Sequence, residues 1–376
     1  MNPTIVEDPR RTLRAKGYEV SGPAPHRITL SISWREDPSE LCFVLHHISQ
    51  PVREFPPVKV GGRDAIAEML ASVGQLICSR AERTPRDPAE RESWKIDAES
   101  FGDQLATLLL PPGLVDFIRS QPDGTLIQVT TNEEWVPWEL LYDGAGFLGE
   151  RFSLVRLPVV KTALRGRGVE EVPRTPLRAL AIVSAELPDD AVAEVETHFP
   201  SAMRSEVKRS LTLSDLIDQS SGVNLLYIIC HGLSNPTRLQ IHEKAEPAVN
   251  LKVASARHPS WRLHRRSLVF ANACNASAPE SVLGEFVGFG RTFCEAGAGS
   301  FLGPLGTVPV TMARQFAREF YQALFGEAQQ DVLVAFKLAK LRCRQDGWPT
   351  SIAYCLFLNP WMAATELARI RQENAG

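Results

Sequence analysis

The chain carries LLYIICHG at residues 225–232 and SLVFANAC at residues 267–274, two short apolar runs that each end at a reactive residue. Apolar runs rich in β-branched and aromatic residues, without polar alternation, are typical of strands buried on both faces of a parallel sheet. Ligands of open parallel sheets bind beyond the carboxyl ends of the strands. We therefore expect His231 and Cys274 to meet at one edge of such a sheet.

A thiol next to an imidazole is the minimum set of groups for nucleophilic acyl transfer, because the imidazole accepts the thiol proton and the thiolate attacks a carbonyl carbon. The pattern predicts Cys274 as the nucleophile and His231 as the general base. Gly232 lets the backbone approach a substrate, so the N–H groups of Gly232 and Cys274 are the predicted oxyanion hole. Each side chain alone has a structural alternative, an inert buried thiol or a structural histidine, and only the pair favours catalysis.

The composition is that of a globular protein, with 376 residues of which 44% are hydrophobic and 23% charged. That length allows two domains or one large α/β domain.

The formal net charge of −3 predicts neither a nucleic-acid nor a membrane partner. Residues 1–15 lack the apolar core of a signal peptide, and no run reaches the roughly 18 apolar residues of a membrane span, so we expect a cytoplasmic protein. Seven cysteines without a Cys-x-x-Cys pair predict reduced thiols rather than a disulfide framework or a zinc ribbon.

The chain divides into five segments by composition and pattern. Residues 1–25 are polar and are predicted to form a flexible N-terminal arm, followed by an α+β half over residues 26–164. Residues 165–176 are rich in Arg, Gly and Pro, which predicts a linker or, alternatively, a cleavable activation loop. Alternating strands and helices over residues 177–362 predict the catalytic half, and residues 363–376 form the C-terminal tail.

Local patterns predict the elements of the first half. Alternation indicates strands at 27–34 and 40–48, and apolar residues at helical spacing indicate helices at 63–81 and 101–110. The charged residues 83–98 predict a solvated loop.

A hairpin is predicted from strands at 125–129 and 152–157, with the Asp-Gly turn at 143–144 between them. Glu139 is expected to accept a hydrogen bond from a backbone or arginine donor, and Arg156 is a candidate partner.

The second half alternates strands and helices, which predicts a mostly parallel sheet with helices on both faces. Ser214 is the predicted cap of a short helix, and Leu239 and Ile241 predict a small hairpin within the long polar segment 233–266. A helix starting soon after Cys274 would favour its thiolate through the partial positive charge of the helix N-terminus. Helices are predicted at 281–296, 311–325 and 331–342, and strands at 180–183, 300–305 and 352–358.

An ordered set of motifs resembles the CHAT family, the bacterial caspase-like domains related to separase, within the clan of caspases, separases and gingipains. The resemblance covers roughly residues 125–360. The motifs are His-Gly at 231–232, Asn-Ala-Cys at 272–274, WELLYD at 138–143, FCEAGA at 293–298, FLGPL at 301–305, Phe-Tyr at 320–321 and the segment 348–360.

The resemblance implies a caspase-like, mostly parallel sheet with helices on both faces, preceded by a smaller α/β pseudo-caspase-like half. It implies a cysteine endopeptidase with a Cys-His dyad, in which no third side chain, metal or organic cofactor is needed. It further implies a protein substrate, control by an upstream activator or sensor protein or by proteolysis, and a place in bacterial defence.

Substrate specificity is where the chain departs from its relatives. In CHAT and separase relatives an acidic residue after the Gly-rich strand often faces a basic P1 side chain, but residues 306–311 contain no Asp or Glu. This absence predicts a neutral or small P1 side chain, with Glu285 and Glu295 as alternative sources of charge. Asn275 and Thr311 are the predicted substrate-binding residues.

Two other classes of function stay open. The chain would be a catalytically silent CHAT-type protein-interaction module if the dyad did not react, although the presence of both His231 and Cys274 argues against this. A Cys-dependent amidase or acyl transferase acting on a small substrate is the other alternative, and the long polar segment after His231 favours a polypeptide instead.

Overall fold

The computed structural model describes residues 27–34, 40–47, 50–61, 87–159, 178–188, 203–209, 211–233, 237–242, 249–256, 267–282, 285–327, 330–345 and 353–359, with isolated residues between these ranges. The predicted arm, linker and tail, and most of the predicted helix at 63–81, lie outside the described residues. None of the described helices combines the length and the hydropathy needed to cross a bilayer.

Most of the described strands belong to one large sheet. The strands are, in chain order, β1 (Arg27–Trp34), β2 (Glu40–His47), β3 (Gln50–Lys59), β4 (Leu126–Thr131), β5 (Ser153–Pro158), β6 (Arg178–Val183), β7 (Arg204–Lys208), β8 (Leu225–Ile229), β9 (His231–Leu233), β10 (Arg238–His242), β11 (Val249–Lys252), β12 (Leu268–Asn272), β13 (Glu280–Val282), β14 (Glu285–Val287), β15 (Ser300–Pro304) and β16 (Tyr354–Leu358).

The large sheet has the order β3-β2-β1-β4-β5-β16-β15-β12-β8-β6-β7. Neighbours are antiparallel at β3-β2, β2-β1 and β15-β16, and parallel elsewhere in this sheet. A smaller sheet has the order β11-β10-β9, and β13 and β14 form a separate hairpin. The predicted mostly parallel sheet is therefore confirmed.

Helices cover both faces of the second half of this sheet. Tyr227 and Phe270 project from one face and pack in one apolar cluster with α7 and α8, whereas Leu226 and Val269 project from the other face and pack with α6. The helices are α1 (Pro88–Leu109), α2 (Pro112–Arg119), α3 (Leu148–Arg151), α4 (Leu213–Ser220), α5 (Val253–Ala256), α6 (Phe289–Glu295), α7 (Val310–Phe325) and α8 (Val332–Gln345), with a 3-10 turn at Trp138–Leu140.

The helices predicted at 311–325 and 331–342 are confirmed, and each buries the apolar stripe that its sequence predicts. Met312, Phe316, Phe320 and Leu324 of α7 are buried at a spacing of four residues, which places them on one helix face. The predicted inward residues of α8 are also buried.

The first and second halves join at β5 and β16, where Arg156 lies opposite Phe357. Arg156 donates from Nε to Glu139 Oε1 at 3.1 Å and from Nη2 to Glu139 Oε2, and both side chains are fully buried. Burial alone would raise the pKa of Glu139, but the charge and hydrogen bonds of Arg156 outweigh it and hold this pKa below its ordinary value. The predicted pairing of Glu139 with Arg156 is confirmed.

Two elements of the first half differ from the sequence prediction. Residues 88–98, predicted as a loop, form the first half of α1. Asp87 caps this helix by accepting a hydrogen bond from the Ala89 N–H. The prediction failed because these turns bury only a narrow stripe, which includes Trp94 and Ala98.

The strand β3 was not predicted, since its sequence QPVREFPPVK contains three prolines. An edge strand tolerates proline because one side of its backbone needs no ladder hydrogen bonds.

The predicted hairpin of β4 and β5 is wrong, because these strands are parallel neighbours. A hairpin turn cannot reverse the chain between parallel strands, so the intervening residues run as a crossover. The Asp-Gly turn at 143–144 lies within this crossover, with Gly144 at φ +89° and a bridge between Tyr142 and Phe147.

The helix predicted over 281–296 is confirmed only in its second half, over Phe289–Glu295, and is wrong before that. The β13-β14 hairpin occupies residues 280–287, and α6 begins only at Phe289. The β-branched Val282 and Val287 favour strands, and Gly288 lowers helix propensity at the point where the hairpin ends. Gly290 of α6 packs closely against the sheet, where an added Cβ would lie 2.6 Å from the Phe357 ring.

The cap of α4 is Thr212 rather than Ser214. Thr212 Oγ1 accepts from the Asp215 N–H at 3.1 Å, and Asp215 Oδ2 accepts from the Thr212 N–H at 3.0 Å, which forms a capping box. Thr212→Ala is therefore expected to lower the free energy of unfolding by about 1 kcal/mol, whereas Ser214→Ala should change it by less than about 0.5 kcal/mol. Urea unfolding of both variants checks this, and equal losses would contradict the assignment.

Candidate active site

His231 and Cys274 each lie two residues beyond the end of one of two adjacent strands, β8 and β12. β8 and β12 are parallel and hydrogen-bonded, and Ile229 lies opposite Asn272. His231 and Cys274 each follow two residues later, so the structure places both at the same carboxyl edge of the sheet. His231 is exposed and Cys274 is partly buried, which leaves both side chains within reach of a bound molecule.

The backbone of Gly232 lies directly against that of Cys274. A Cβ added to Gly232 would overlap the Cys274 carbonyl oxygen and lie 2.6 Å from the carbonyl carbon and 2.9 Å from the nitrogen. Only glycine permits this approach. The predicted requirement for Gly232 thus has a second physical cause, contact between the two reactive segments, in addition to access for a substrate.

Three hydrogen bonds hold the turn at Cys274 against the end of β15 and the segment that follows it. The Asn275 N–H donates to the Gly306 carbonyl at 3.0 Å, and Ser277 donates from its N–H to Pro304 and from its Oγ to Gly303, both at 2.7 Å. Asn275 has a φ of 58°, in the left-handed region that asparagine tolerates better than most residues. The backbone of Asn275 therefore shapes the turn that carries the thiol.

The segment after β15 passes alongside the thiol. Cys274 Sγ lies 3.8 Å from the Val308 carbonyl oxygen, and Thr311 follows three residues later, exposed in the first turn of α7. The loop from Gly306 to Pro309 thus borders the thiol. Substrate binding by Asn275 and Thr311 stays a prediction.

The expected help from a helix N-terminus is wrong for Cys274, because a turn and the β13-β14 hairpin follow it. Glu295 lies away from the site. It ends α6 just before β15 begins, and the start of β15 is at the opposite edge of the sheet from Cys274. The Glu295 carboxylate pairs with Arg291 at 2.9 Å. The Glu285 backbone lies in β14, and its side chain is outside the described part of the chain.

Cys274 differs from the other cysteines of the second half. Cys230, Cys294 and Cys355 are buried, and burial raises the pKa of each thiol. Such thiols are unreactive because their thiolates are disfavoured. The described cysteines form no disulfides.

A glutamate from the first half contacts the segment that follows the reactive turn. Glu134 is fully buried, and its Oε2 accepts from the Gly288 N–H at 2.9 Å, directly after the β13-β14 hairpin. Burial raises the pKa of Glu134 to about 8, despite that hydrogen bond and the nearby charge of Arg291. The sequence offered a signal here, since two adjacent glutamates next to a Trp-rich motif are candidates for burial.

This shift of the Glu134 pKa makes stability depend on pH. Between about pH 5 and 8 the folded chain retains a proton that the unfolded chain releases, so stability is highest below this window and falls as pH rises through it. Glu134→Gln retains an acceptor for Gly288 but has no proton to lose. We expect the stability difference between Glu134→Gln and the wild type to move in favour of the variant from pH 5.5 to 8.5, by at most about 4 kcal/mol.

Chemical unfolding of both proteins across that pH range checks this expectation. Glu134→Ala is the control, because it lacks the acceptor and should be less stable than Glu134→Gln throughout. A difference between wild type and Glu134→Gln that stays constant with pH would contradict the raised pKa of Glu134.

Comparison with known proteins agrees with this geometry. The family model of the CHAT domain matches residues 99–354, about two thirds of the chain. No curated protein matches the chain significantly. Two structures of the Saccharomyces cerevisiae separase–securin complex are similar, with TM-scores of 0.53 and 0.52, 12% identity, and coverage of 89% of this chain and 30% of the separase chain. The Arg-specific cysteine proteinase gingipain R matches with a TM-score of 0.38 and 12% identity, over 72% of this chain and 75% of that one.

The sheet, its flanking helices and the likeness to separase define an α/β protein with a caspase-like fold, the fold of a class of cysteine peptidases. The chain belongs to the CHAT family. It spans less than a third of the length of the separase chains that it resembles.

Proposed function

We propose that the chain is a cysteine endopeptidase with Cys274 as nucleophile and His231 as general base. The observation that supports it most strongly is the shared edge. Both residues lie two positions beyond paired residues of adjacent parallel strands, and the peptide of Gly232 contacts that of Cys274. Membership of the CHAT family and the caspase-like fold support the same class of activity.

In the proposed reaction, His231 accepts the Cys274 proton and the thiolate forms a bond to the carbonyl carbon of the scissile peptide. The C–N bond then breaks, and the imidazolium gives its proton to the leaving amine. A water molecule, deprotonated by His231, attacks the thioester, the C–S bond breaks, and the imidazolium returns this proton to the leaving Cys274 sulfur. The carboxylic acid product then loses its own proton to solvent. The electron pairs and protons balance without a metal or an organic cofactor.

The proposed oxyanion hole uses the backbone N–H groups of Gly232 and Cys274. Contact between these two peptides supports the idea, because donors fixed close together stabilise a developing negative charge without reorganising during the reaction.

For the P1 position we propose a neutral or small side chain. The loop that borders the thiol carries no acidic residue between Gly306 and Thr311, and Glu295 lies at the other edge.

The proposed partners are a protein substrate and an upstream activator or sensor protein, with neither nucleic acid nor membrane involved. The separase structures were solved as complexes with securin, which supports regulation by a protein partner. CHAT membership also supports the proposal that the peptidase acts in the bacterial cytoplasm, in defence signalling, with proteolytic activation at residues 165–176 as a further route of control.

The test is digestion of a proteome-derived peptide library by the wild type and by Cys274→Ala, with mass spectrometry of the cleaved ends. We expect cuts that only the wild type makes, and a neutral residue at P1. If the wild type and Cys274→Ala give the same products, both before and after limited nicking within residues 165–176, the result would favour the silent interaction module. Activity on small amides without any peptide cuts would instead favour an amidase or acyl transferase.

A further inference from the structure

Asn272 is a polar side chain in the otherwise apolar strand β12. It is only 6% exposed and lies two residues before Cys274. Both side chains pack on the face covered by α7, since Asn272 donates to the Ala313 carbonyl and Cys274 packs against the apolar cluster that contains Met312 and Phe316. A buried amide is costly unless its donors and acceptor are satisfied, so its partners indicate what it does.

The Asn272 amide is satisfied by three separate elements. Nδ2 donates to the Ala313 carbonyl at 3.0 Å and to the Tyr227 hydroxyl oxygen at 3.2 Å, and Oδ1 accepts from the Tyr354 hydroxyl at 2.7 Å. Because the Ala313 carbonyl can only accept, it fixes which side of the amide carries nitrogen. Both amide hydrogens and the amide oxygen are therefore used.

Two of the three partners, Tyr227 and Ala313, belong to segments that border the reactive edge. Tyr227 lies in β8, four residues before His231. Ala313 lies in the first turn of α7, and the loop leading into α7 contains the Val308 carbonyl that borders the thiol. Asn272 thus connects the strand before Cys274, the strand before His231 and the segment that passes the thiol.

We propose that Asn272 is a positioning residue of the peptidase, holding Cys274, His231 and the loop before α7 in their reactive arrangement. The inference rests on the proposed function and names a further residue that this reaction needs. Removal of the amide takes away its hydrogen bonds to Tyr227, Tyr354 and Ala313 together. The backbone ladder between β8 and β12 remains, but the side-chain link that joins β12 to β8, β16 and α7 beneath the thiol is lost. A displacement of about 1 Å between reacting groups is enough to slow a reaction severely.

A buried asparagine at the other edge of the sheet provides a matched control. Asn359 is 3% exposed, and its Nδ2 donates to the Cys294 and Ala298 carbonyls at 3.1 and 3.2 Å. Asn272→Ala and Asn359→Ala should lose comparable stability, since each removes two or three hydrogen bonds between a buried amide and buried partners. Only the change at Asn272 should alter the chemistry of Cys274.

The experiment measures kcat and KM on a cleaved peptide, and the rate of Cys274 alkylation by iodoacetamide as a function of pH, at a temperature where all variants are folded. We expect Asn272→Ala to lower kcat by about tenfold or more with KM changed less than about twofold, and to move the alkylation profile to higher pH. Tyr354→Phe and Tyr227→Phe, which each remove one partner, should fall between Asn272→Ala and the wild type. Asn359→Ala should match the wild type in kcat and in alkylation.

Two outcomes separate failure of the inference from failure of the proposed function. If the wild type cleaves peptides and Asn272→Ala has the kcat and alkylation profile of Asn359→Ala, Asn272 is only structural and the inference is overturned. A wild type that cleaves nothing before and after limited nicking within residues 165–176, and whose Cys274 is then alkylated no faster at pH 7 than free cysteine, overturns the proposed function and the inference with it.

Discussion

Gly232→Ala is expected to reduce kcat/KM by at least about 100-fold, because the added methyl group cannot fit between the two reactive segments. The methyl would overlap the carbonyl oxygen of Cys274 and lie within 3 Å of two further backbone atoms of that residue. Backbone atoms cannot rotate aside as a flexible side chain can. The peptide at His231 and the turn at Cys274 must therefore move apart, and small displacements of reacting groups have large kinetic costs.

The measurement is steady-state kinetics on a peptide that the wild type cleaves, together with the thermal midpoint of each protein. Gly113→Ala is a suitable control, since its added Cβ would make only ordinary contacts, the nearest at 3.4 Å to Arg53. We expect the control to retain kcat/KM within about twofold and its stability within about 1 kcal/mol. A fully active Gly232→Ala would show that the two segments are not in the contact described.

Breaking the buried pair of Arg156 and Glu139 is expected to cost about 3–5 kcal/mol of unfolding free energy, the largest stability effect predicted for this chain. Both side chains are almost completely buried at the junction of β5 and β16. Glu139→Gln leaves the guanidinium with a neutral partner, and Arg156→Met leaves a buried carboxylate. Each single change leaves one buried charge without the opposite charge of its partner, and that charge destabilises the folded state.

The double variant Glu139→Gln/Arg156→Met tests the pairing itself. We expect its loss of stability to be smaller than the sum of the single losses by at least about 2 kcal/mol, because it removes both charges together. Asp116→Asn is the surface control, since its carboxylate lies 3.6 Å from Arg119 and both side chains are at least half exposed. It should cost less than about 0.5 kcal/mol. Strict additivity of the two buried changes would mean that they act independently.

The parts of the fold that were predicted correctly are those specified by local pattern. The buried apolar residues of α7 repeat every four positions. The apolar runs that contain β8 and β12 are each interrupted by a reactive residue, which marks the end of the run. The placement of His231 and Cys274 at one edge follows from the parallel pairing of those runs. Their catalytic roles stay predictions.

The parts that were missed depend on distant residues. A stretch as charged as Glu90–Lys95 has the composition of a loop, and only packing of Trp94 and Ala98 against the sheet selects a helix. Residues 280–287 follow Cys274 at a distance where a helix is usual, yet they form a hairpin. The Gly288 N–H directly after this hairpin donates to Glu134, which is more than 150 positions away in the sequence. The amide contacts of Asn272 reach Tyr354 across 82 positions. No local period encodes such contacts.

The position of β16 has a consequence for biosynthesis. This strand is the last in the described chain, yet it lies in the middle of the large sheet between β5 and β15. At about 5–20 residues per second, a ribosome completes β16 roughly 10–40 seconds after β5. Until then β5 and β15 each present an unpaired edge, so we expect pulse proteolysis of ribosome-bound chains to find the two halves unjoined before Leu358 has emerged. Protection of a joined sheet in shorter nascent chains would contradict this. The nascent protein thus depends on β16 to close two aggregation-prone edges at once.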